Sequence, residues 1–195
     1  DDNSCSSASS STSITVNQNP VAGAGDAMSA ICQGATSAPM NGSATGGATG
    51  GTWSGGAGSW TNATDVANAT YTAGAAESGI VTLTLTTSGS SCTAVTATKN
   101  ITVNANPTAI ASTSTGTVCE DATISLTGGA SGGSGGYTYS WSGPSSYTSS
   151  DQSPTISANA TTAMGGNYVL SMTDTAGCVA TDTVSVTVSP LPIVD

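Results

Sequence analysis

Apolar and polar positions alternate over short stretches spaced along the whole chain. The clearest are Ile14-Thr-Val16, Val81-Thr-Leu-Thr-Leu85, Ile101-Thr-Val103, Thr123-Ile-Ser-Leu126, Tyr137-Thr-Tyr-Ser-Trp141, Tyr168-Val-Leu-Ser-Met172 and Val184-Ser-Val-Thr-Val188. A period of two puts the apolar set on one face and Thr or Ser on the other. That predicts half-buried antiparallel strands. Branched Thr suits the solvent face of a pleated sheet. Glycine-rich text at Gly46–Gly51 and Gly128–Gly136 reads as turns or loops. No long stretch carries a helical period with caps, so the expected class is all-β.

The pattern also repeats. Cys5, Cys92 and Cys178 are 87 and 86 residues apart, Cys32 and Cys119 are 87 apart, and so are Pro20 and Pro107. Trp53 and Trp141 are 88 apart. After each of Cys5, Cys92 and Cys178 comes a polar stretch, an alternating strand and a proline boundary. This predicts two full repeats, 18–104 and 105–189. Residues 1–17 read as the last strand of a preceding repeat, and 190–195 as a linker to a following one. The chain then reads as a slice of a longer array. About 85 residues suffice for a small sandwich, so the expected architecture is tandem immunoglobulin-like antiparallel β-sandwiches. Trp53 and Trp141 fall where such a sandwich keeps a core tryptophan.

Composition narrows the function. The chain has one Lys, no Arg, no His and 11 acidic residues, for a net charge of −10. One cation leaves no phosphate-neutralising surface, which argues against nucleic acid and against an anionic membrane face. Without His there is no Ser-His-Asp triad, Cys-His pair or His metal site. No apolar run approaches the roughly 18 residues of a spanning helix. The chain carries no recognisable catalytic constellation, so no enzyme activity is expected.

Five cysteines without close pairs such as C-x-x-C suggest disulfides in an oxidising, exported setting rather than a metal site. The repeat favours Cys32–Cys92 and Cys119–Cys178, each closing about 60 residues and adding roughly 4 kcal/mol in the chain-entropy model. Cys5 is then unpaired or paired outside the chain. One tension stands against this. A cysteine between the first two strands sits at the pole opposite the last hairpin of a standard sandwich. Pairing between repeats, Cys5–Cys32 and Cys92–Cys119, and free thiols are the alternatives.

Other residues carry candidate chemistry. Glu120-Asp121, and Asp174 with Asp182, are the best oxygen donors for a structural Ca²⁺, with Asp26 or Asp195 at repeat junctions. No EF-hand-type loop is present, and a solvated acidic surface is the favoured reading. No other cofactor is expected. Trp60 and Tyr147 lie in Gly/Ser-rich text and are the candidate ligand contacts for a glycan. Lys99 reads as a solvated gatekeeper on an edge strand.

The stretch Thr117-Val-Cys-Glu-Asp-Ala-Thr-Ile-Ser-Leu-Thr127, the segment Tyr137-Thr-Tyr-Ser-Trp-Ser142 and the closing Asp174-Thr-Ala-Gly-Cys178 resemble PKD-like and Ig-like repeats. Such repeats occur in large cell-surface proteins of Bacteroidota. Gly50-Gly-Thr-Trp-Ser-Gly-Gly-Ala-Gly-Ser59 with Ala69-Thr-Tyr-Thr72 adds to the likeness. The resemblance implies a type IX secretion substrate of the gliding-motility adhesin type. It would be an extracellular stalk or filament segment at a bacterial cell surface, with neighbouring repeats, surface glycans or its own copies as partners. It also implies O-glycosylation at Thr175 or Thr183, which sit in Asp-Thr-aliphatic signals. A carbohydrate-binding or spacer module of a secreted enzyme, or a fibre subunit assembled by strand donation, are the other expectations.

Overall fold

The structure is a computed structural model that describes residues 9–192. Sixteen strands and two single turns of 3-10 helix make it nearly all β. The strands fall into two sets of eight, and no strand of one set pairs with a strand of the other.

In the first set, β1 (Pro20–Gly23) pairs antiparallel with β3 (Ser43–Gly46). The short β2 (Ile31–Cys32) crosses to the other sheet and pairs parallel with the end of β8 (Thr96–Asn104), as Ile31↔Val103 and Cys32↔Asn104. That sheet continues through β7 (Gly79–Ser88) to β4 (Gly50–Ser54). A small hairpin, β5 (Ser59–Thr61) with β6 (Thr70–Thr72), completes the set.

The second set repeats this path. β9 (Pro107–Thr113) and β14 (Thr155–Ser157) flank β11 (Ile124–Gly132). β10 (Thr117–Cys119) pairs parallel with β16 (Val179–Ser189). From β16 the sheet runs through β15 (Gly166–Thr173) and β12 (Thr138–Gly143) to β13 (Tyr147–Ser149). A first strand split between two sheets, with one parallel pairing in an otherwise antiparallel sandwich, makes both units immunoglobulin-like.

Alternation places the core. Val81, Leu83 and Leu85 of β7 point inward, as do Tyr168, Leu170 and Met172 of β15. Trp53 faces Leu85 across the β4–β7 pair, and Trp141 faces Leu170 across β12–β15. Both tryptophans are buried, at 2% and 0% exposure. Each indole N–H finds a carbonyl, that of Val66 at 2.9 Å and that of Gln152 at 3.4 Å, the second bond being the weaker. Each unit has its own apolar cluster around its tryptophan. With no Phe in the chain, these two residues supply much of the buried area that stabilises each core.

Two expectations need correction. Gly128–Gly132 is not a loop but the second half of β11, paired with β9 from Gly128↔Ala111 to Gly132↔Pro107. The reason is steric. A Cβ on Gly128 would lie 2.8 Å from the Gln152 carbonyl oxygen and 3.3 Å from the Tyr139 ring. Glycine there marks a close approach within a strand. The turn begins only at Gly132 and Gly133, where φ becomes positive. Similarly Gly50 and Gly51 open β4 rather than belonging to the preceding turn.

The segment Ile14-Thr-Val16, expected as a strand, has no partner among the described residues. Ile14 and Val16 are 86% and 89% exposed. An alternating segment becomes a strand only where a sheet edge receives it.

Candidate functional site

The most distinctive chemistry lies where the two sandwiches meet. Cys32 ends β2 beside Asn104, the last residue of β8. Cys178 sits in the tight turn between β15 and β16 of the second sandwich. The two form a disulfide across 146 residues of chain, with Cα atoms 5.7 Å apart. Cys178 is buried and Cys32 partly so.

The turn that presents Cys178 is organised by Asp174. Its side chain is 5% exposed, yet it is well solvated by protein. Oδ1 accepts the N–H groups of Ala176 and Cys178, each at 2.9 Å, and Oδ2 accepts that of Ser134 at 2.8 Å. Gly177, at φ +82°, allows the chain to reverse there. The Ser134 N–H first, then those of Cys178, Ala176 and Gly177, hold the carboxyl below the usual aspartate range against the opposing effect of burial.

The linker side is tied as well. Gln33, next to Cys32, donates its N–H to the Asn104 carbonyl at 3.0 Å. Its Oε1 accepts the N–H of Asn106 at 2.9 Å, and its carbonyl accepts Asn106 Nδ2 at 3.2 Å. The connection between the sandwiches is therefore fixed by one covalent bond and by a Gln33–Asn106 clasp beside it.

Both favoured disulfides of the sequence reading are corrected by this bond. Cys32 bonds to Cys178, not to Cys92, and Cys178 is thereby unavailable to Cys119. Among the described residues Cys92 and Cys119 have no disulfide partner, so the alternative Cys92–Cys119 pair does not form, and the alternative Cys5–Cys32 pair is excluded because Cys32 is bonded to Cys178. The reason is the polarity of the sandwich. Cys32 lies at the end of β8, while Cys92 lies in the turn before β8 begins. The nine residues of β8 span roughly 30 Å at about 3.3 Å each. A disulfide needs Cα atoms within about 7 Å. Cys5 lies outside the described residues.

Three of the acidic candidates for Ca²⁺, Asp174, Asp182 and Glu120, accept backbone N–H groups. Asp182 Oδ2 accepts the Ala111 N–H at 2.7 Å and Oδ1 that of Thr183 at 2.8 Å. The Ala111 N–H above all holds the Asp182 carboxyl low. Glu120 Oε2 accepts the Leu191 N–H at 3.4 Å. Each such N–H takes one of the carboxylate lone pairs that a cation would otherwise use. Among the described residues no three Asp, Glu or Cys side chains converge. Asp195 lies outside them.

The aromatic candidates are half-buried against the cores. Trp60 on β5 stacks on Trp53 at 6.0 Å and 16°, and tilts against Tyr71 at 5.1 Å. Its Nε1 donates to the Gly55 carbonyl. Tyr147 on β13 meets Tyr168 edge-on at 5.7 Å. Each has one face in use by its own sandwich, and the two lie on different sandwiches. Thr175 and Thr183 are exposed. Thr175 Oγ1 donates to the Ser134 carbonyl at 3.0 Å, beside the Asp174 turn, and Thr183 lies on β16.

Lys99 is not a solvated gatekeeper. It pairs with Leu83 across β7–β8, so it belongs to the core-facing row. Its ammonium lies 5.7 Å from the Trp53 ring centroid and donates to the Met40 carbonyl at 2.7 Å. Burial draws its pKa down, offset in part by the charge of Asp26. The stem lies along apolar surface while the head reaches polar atoms at the rim.

The roles of Asp174 and Gln33 were not singled out from the sequence. The run Asp174-Thr-Ala-Gly-Cys178 does carry an Asx-turn signal, an Asp whose side chain caps N–H groups two and four residues on, with Gly before the cysteine. Gln33 offers no comparable signal.

No family model matches the chain, and no curated protein matches it. Solved structures similar to it are arrays of immunoglobulin domains. The N-terminal eight Ig domains of Down Syndrome Cell Adhesion Molecule match 88% of this chain and 24% of that one, at 13% identity and TM-score 0.49. The I-band fragment I67-I69 from titin matches 90% and 67%, at 14% identity and TM-score 0.41. The amphioxus IgVJ-C2 molecule matches 82% and 99%, at 14% identity and TM-score 0.39. The chain thus spans about a quarter of the length of the first of these. The assignment of the fold rests on the strand order and pairing described above. No helix among the described residues is long and apolar enough to cross a membrane.

Proposed function

We propose that this chain is a structural and adhesive segment of a long extracellular protein, a stretch of stalk or filament built from serial immunoglobulin-like repeats. The Cys32–Cys178 bond carries this reading. A linker between independent domains normally leaves their relative orientation free. Here a covalent bond crosses the boundary, and neither of its cysteines belongs to the apolar cluster of a sandwich. What it supplies is a fixed angle and resistance to separation, which a stalk needs and a tethered binding module does not.

The remaining features fit the same reading. The acidic, Lys-poor surface keeps a long fibre soluble and discourages side-by-side association. The disulfide fits an oxidising, extracellular setting. The proposed setting is a bacterial cell surface reached by type IX secretion, as the resemblance implies, with repeats 18–104 and 105–189 as the units. Many weak contacts along one such chain would give avidity to surface glycans or to other copies. Catalysis, a resident metal and a nucleic-acid partner have no place in it. Thr175 and Thr183, both exposed, are the proposed sites for sugar.

Electron microscopy of producing cells labelled with an antibody to this chain tests the proposal. Label along filaments projecting from the surface is the expected result. Label confined to secreted material, or to polysaccharide under digestion, overturns it in favour of an accessory module.

The exposed Ile14 and Val16 favour a second reading. An unpaired alternating segment is the form of a strand donated to a neighbour's sheet. Polymers of this chain that vanish when residues 1–17 are deleted would favour it.

A further inference from the structure

Cys92 and Cys119 each occupy the position of one half of the Cys32–Cys178 bond. Cys119 is the counterpart of Cys32, 87 residues on. It ends β10 as Cys32 ends β2, and pairs parallel with Ser189 at the end of β16 as Cys32 does with Asn104. The next residue repeats too. Glu120 donates its N–H to the Ser189 carbonyl at 2.9 Å, as Gln33 does to Asn104 at 3.0 Å. Glu120 Oε2 accepts the N–H of Leu191, as Gln33 Oε1 accepts that of Asn106. The far end of the second sandwich is therefore built like the end of the first that holds the bond, with an exposed thiol in place of the disulfide.

Cys92 is the counterpart of Cys178, 86 residues earlier, in the turn between β7 and β8. Its N–H is fixed by Ser90 Oγ at 3.0 Å, as that of Cys178 is fixed by Asp174. It borders an open depression lined by Asn19, Pro20, Ser91, Thr93 and Val95. Asn19 and Pro20 are the counterparts of Asn106 and Pro107, the linker residues at the bonded junction.

We infer that the Cys32–Cys178 staple is one link of a series. Cys119 bonds to the last-hairpin cysteine of a sandwich that follows, and Cys92 to the β2-type cysteine of one that precedes. The partner sandwich belongs to the same polypeptide or to a second copy of this chain, in which case Cys119 of one copy joins Cys92 of the next. This rests on the stalk reading and deepens it. Every boundary carries a covalent bond, so the fibre holds even where a backbone linker is cut. The co-reactant is a disulfide oxidant. The Cys119 thiolate attacks it, its S–S bond breaks, and one thiolate leaves. The Cys92 thiolate of the partner then attacks the Cys119 sulfur of the mixed disulfide and expels the second thiol. Two protein thiols lose two protons and two electrons, and the oxidant becomes two thiols.

The test uses the full chain with Cys5→Ser, because Cys5 also aligns with the last-hairpin cysteines and would compete. The chain is incubated with glutathione disulfide, its remaining thiols are alkylated, and the product is run under non-reducing denaturing conditions. A ladder in steps of the 18.6 kDa chain is expected. It should collapse to one band on reduction, with Cys92–Cys119 as the linkage found by mass spectrometry. Cys119→Ser or Cys92→Ser should each abolish the ladder beyond a dimer. Symmetric Cys92–Cys92 or Cys119–Cys119 dimers alone, an intramolecular Cys92–Cys119 ring, or persistent monomer would overturn a second copy of this chain as the partner. If Cys32–Cys178 is intact in those products, the stalk reading survives; if it is absent, that reading fails first. In protein from producing cells, Cys119 joined to Cys92 or Cys5 identifies a second copy as the source. Cys119 joined to another turn of the same polypeptide identifies succession within one chain, and a free Cys119 thiol there overturns the inference.

Discussion

Cys32 and Cys178 are 146 residues apart in the chain and 5.7 Å apart at Cα, and each is supplied by a different sandwich. Immunoglobulin domains of antibodies place their disulfide inside the sandwich, against the core tryptophan. Here Trp53 and Trp141 pack without one, and the bond stands at the boundary instead. It fixes the junction, and its cysteines lie outside both apolar clusters.

Removing it should therefore loosen the pair without unfolding the parts. In Cys32→Ser, the Gln33–Asn106 hydrogen bonds still clasp the boundary, each contributing about 1 kcal/mol net. Small-angle scattering should show a broader distribution of interatomic distances in Cys32→Ser than in the native chain. Each sandwich should keep its own cooperative transition but at a lower midpoint, because a bond that closes 146 residues constrains the unfolded chain of both. Loss of either cooperative transition would mean that the bond holds that core together directly.

Each core should fail alone. Trp141→Ala removes the largest buried side chain of the second sandwich and should cost it about 3–5 kcal/mol. The chain has three tryptophans, so those left, Trp53 and Trp60, both report on the first sandwich. Their fluorescence unfolding curve should match that of the native first sandwich, while circular dichroism shows an early second transition.

Much of this fold was legible from alternation alone. Val81 to Leu85, Tyr168 to Met172 and Val184 to Val188 lie within strands, because a period of two has one meaning where one face is buried. The repeat of 86 to 88 residues likewise matched Trp53 to Trp141. The glycines at 128–132 misled because glycine marks both turns and close approaches, and only the positions of Gln152 and Tyr139 separate the two. The cysteine partners were hidden for a related reason. Spacing shows which cysteines are equivalent, but not which pole of a sandwich faces its neighbour. Lys99 was read by its charge, whereas its register opposite Leu83 turns it inward.

Lys99 should accordingly stabilise the first sandwich. Lys99→Ala removes the stem packed along the core rim, the ammonium over Trp53 and the donor to Met40. A loss of about 1–2 kcal/mol is expected in urea titrations of that sandwich. Lys99→Met, which keeps the stem, should lose less. Equal losses would assign the effect to the charge alone.

Acid should weaken the second sandwich through Asp174 and Asp182, and the first through Glu77. The Glu77 carboxyl is pushed up by burial but held low overall by the Ala57 and Gly74 N–H groups and the Tyr71 hydroxyl. A carboxyl whose folded pKa is depressed contributes stability that is fully present above its unfolded value of about 4. That contribution is lost as pH falls through the folded value. Stability should thus decline below about pH 5. Asp174→Asn, which cannot accept the Ser134 N–H through its amide nitrogen, should lower stability at pH 7 and flatten the acid limb of the second sandwich. An unchanged acid limb would remove Asp174 from the account.

The single basic side chain gives the most direct test of the central claim. Lys99 is the only tryptic site, and cleavage after it separates fragment 1–99 with Cys5, Cys32 and Cys92 from fragment 100–195 with Cys119 and Cys178. Oxidised chain is denatured with its free thiols alkylated, cut with trypsin and run without reductant, and the linked peptides are identified by mass spectrometry. The account predicts that the two fragments stay joined through Cys32–Cys178 and separate on reduction. Fragments that separate without reductant, each closed by its own Cys32–Cys92 or Cys119–Cys178 bond, would contradict it.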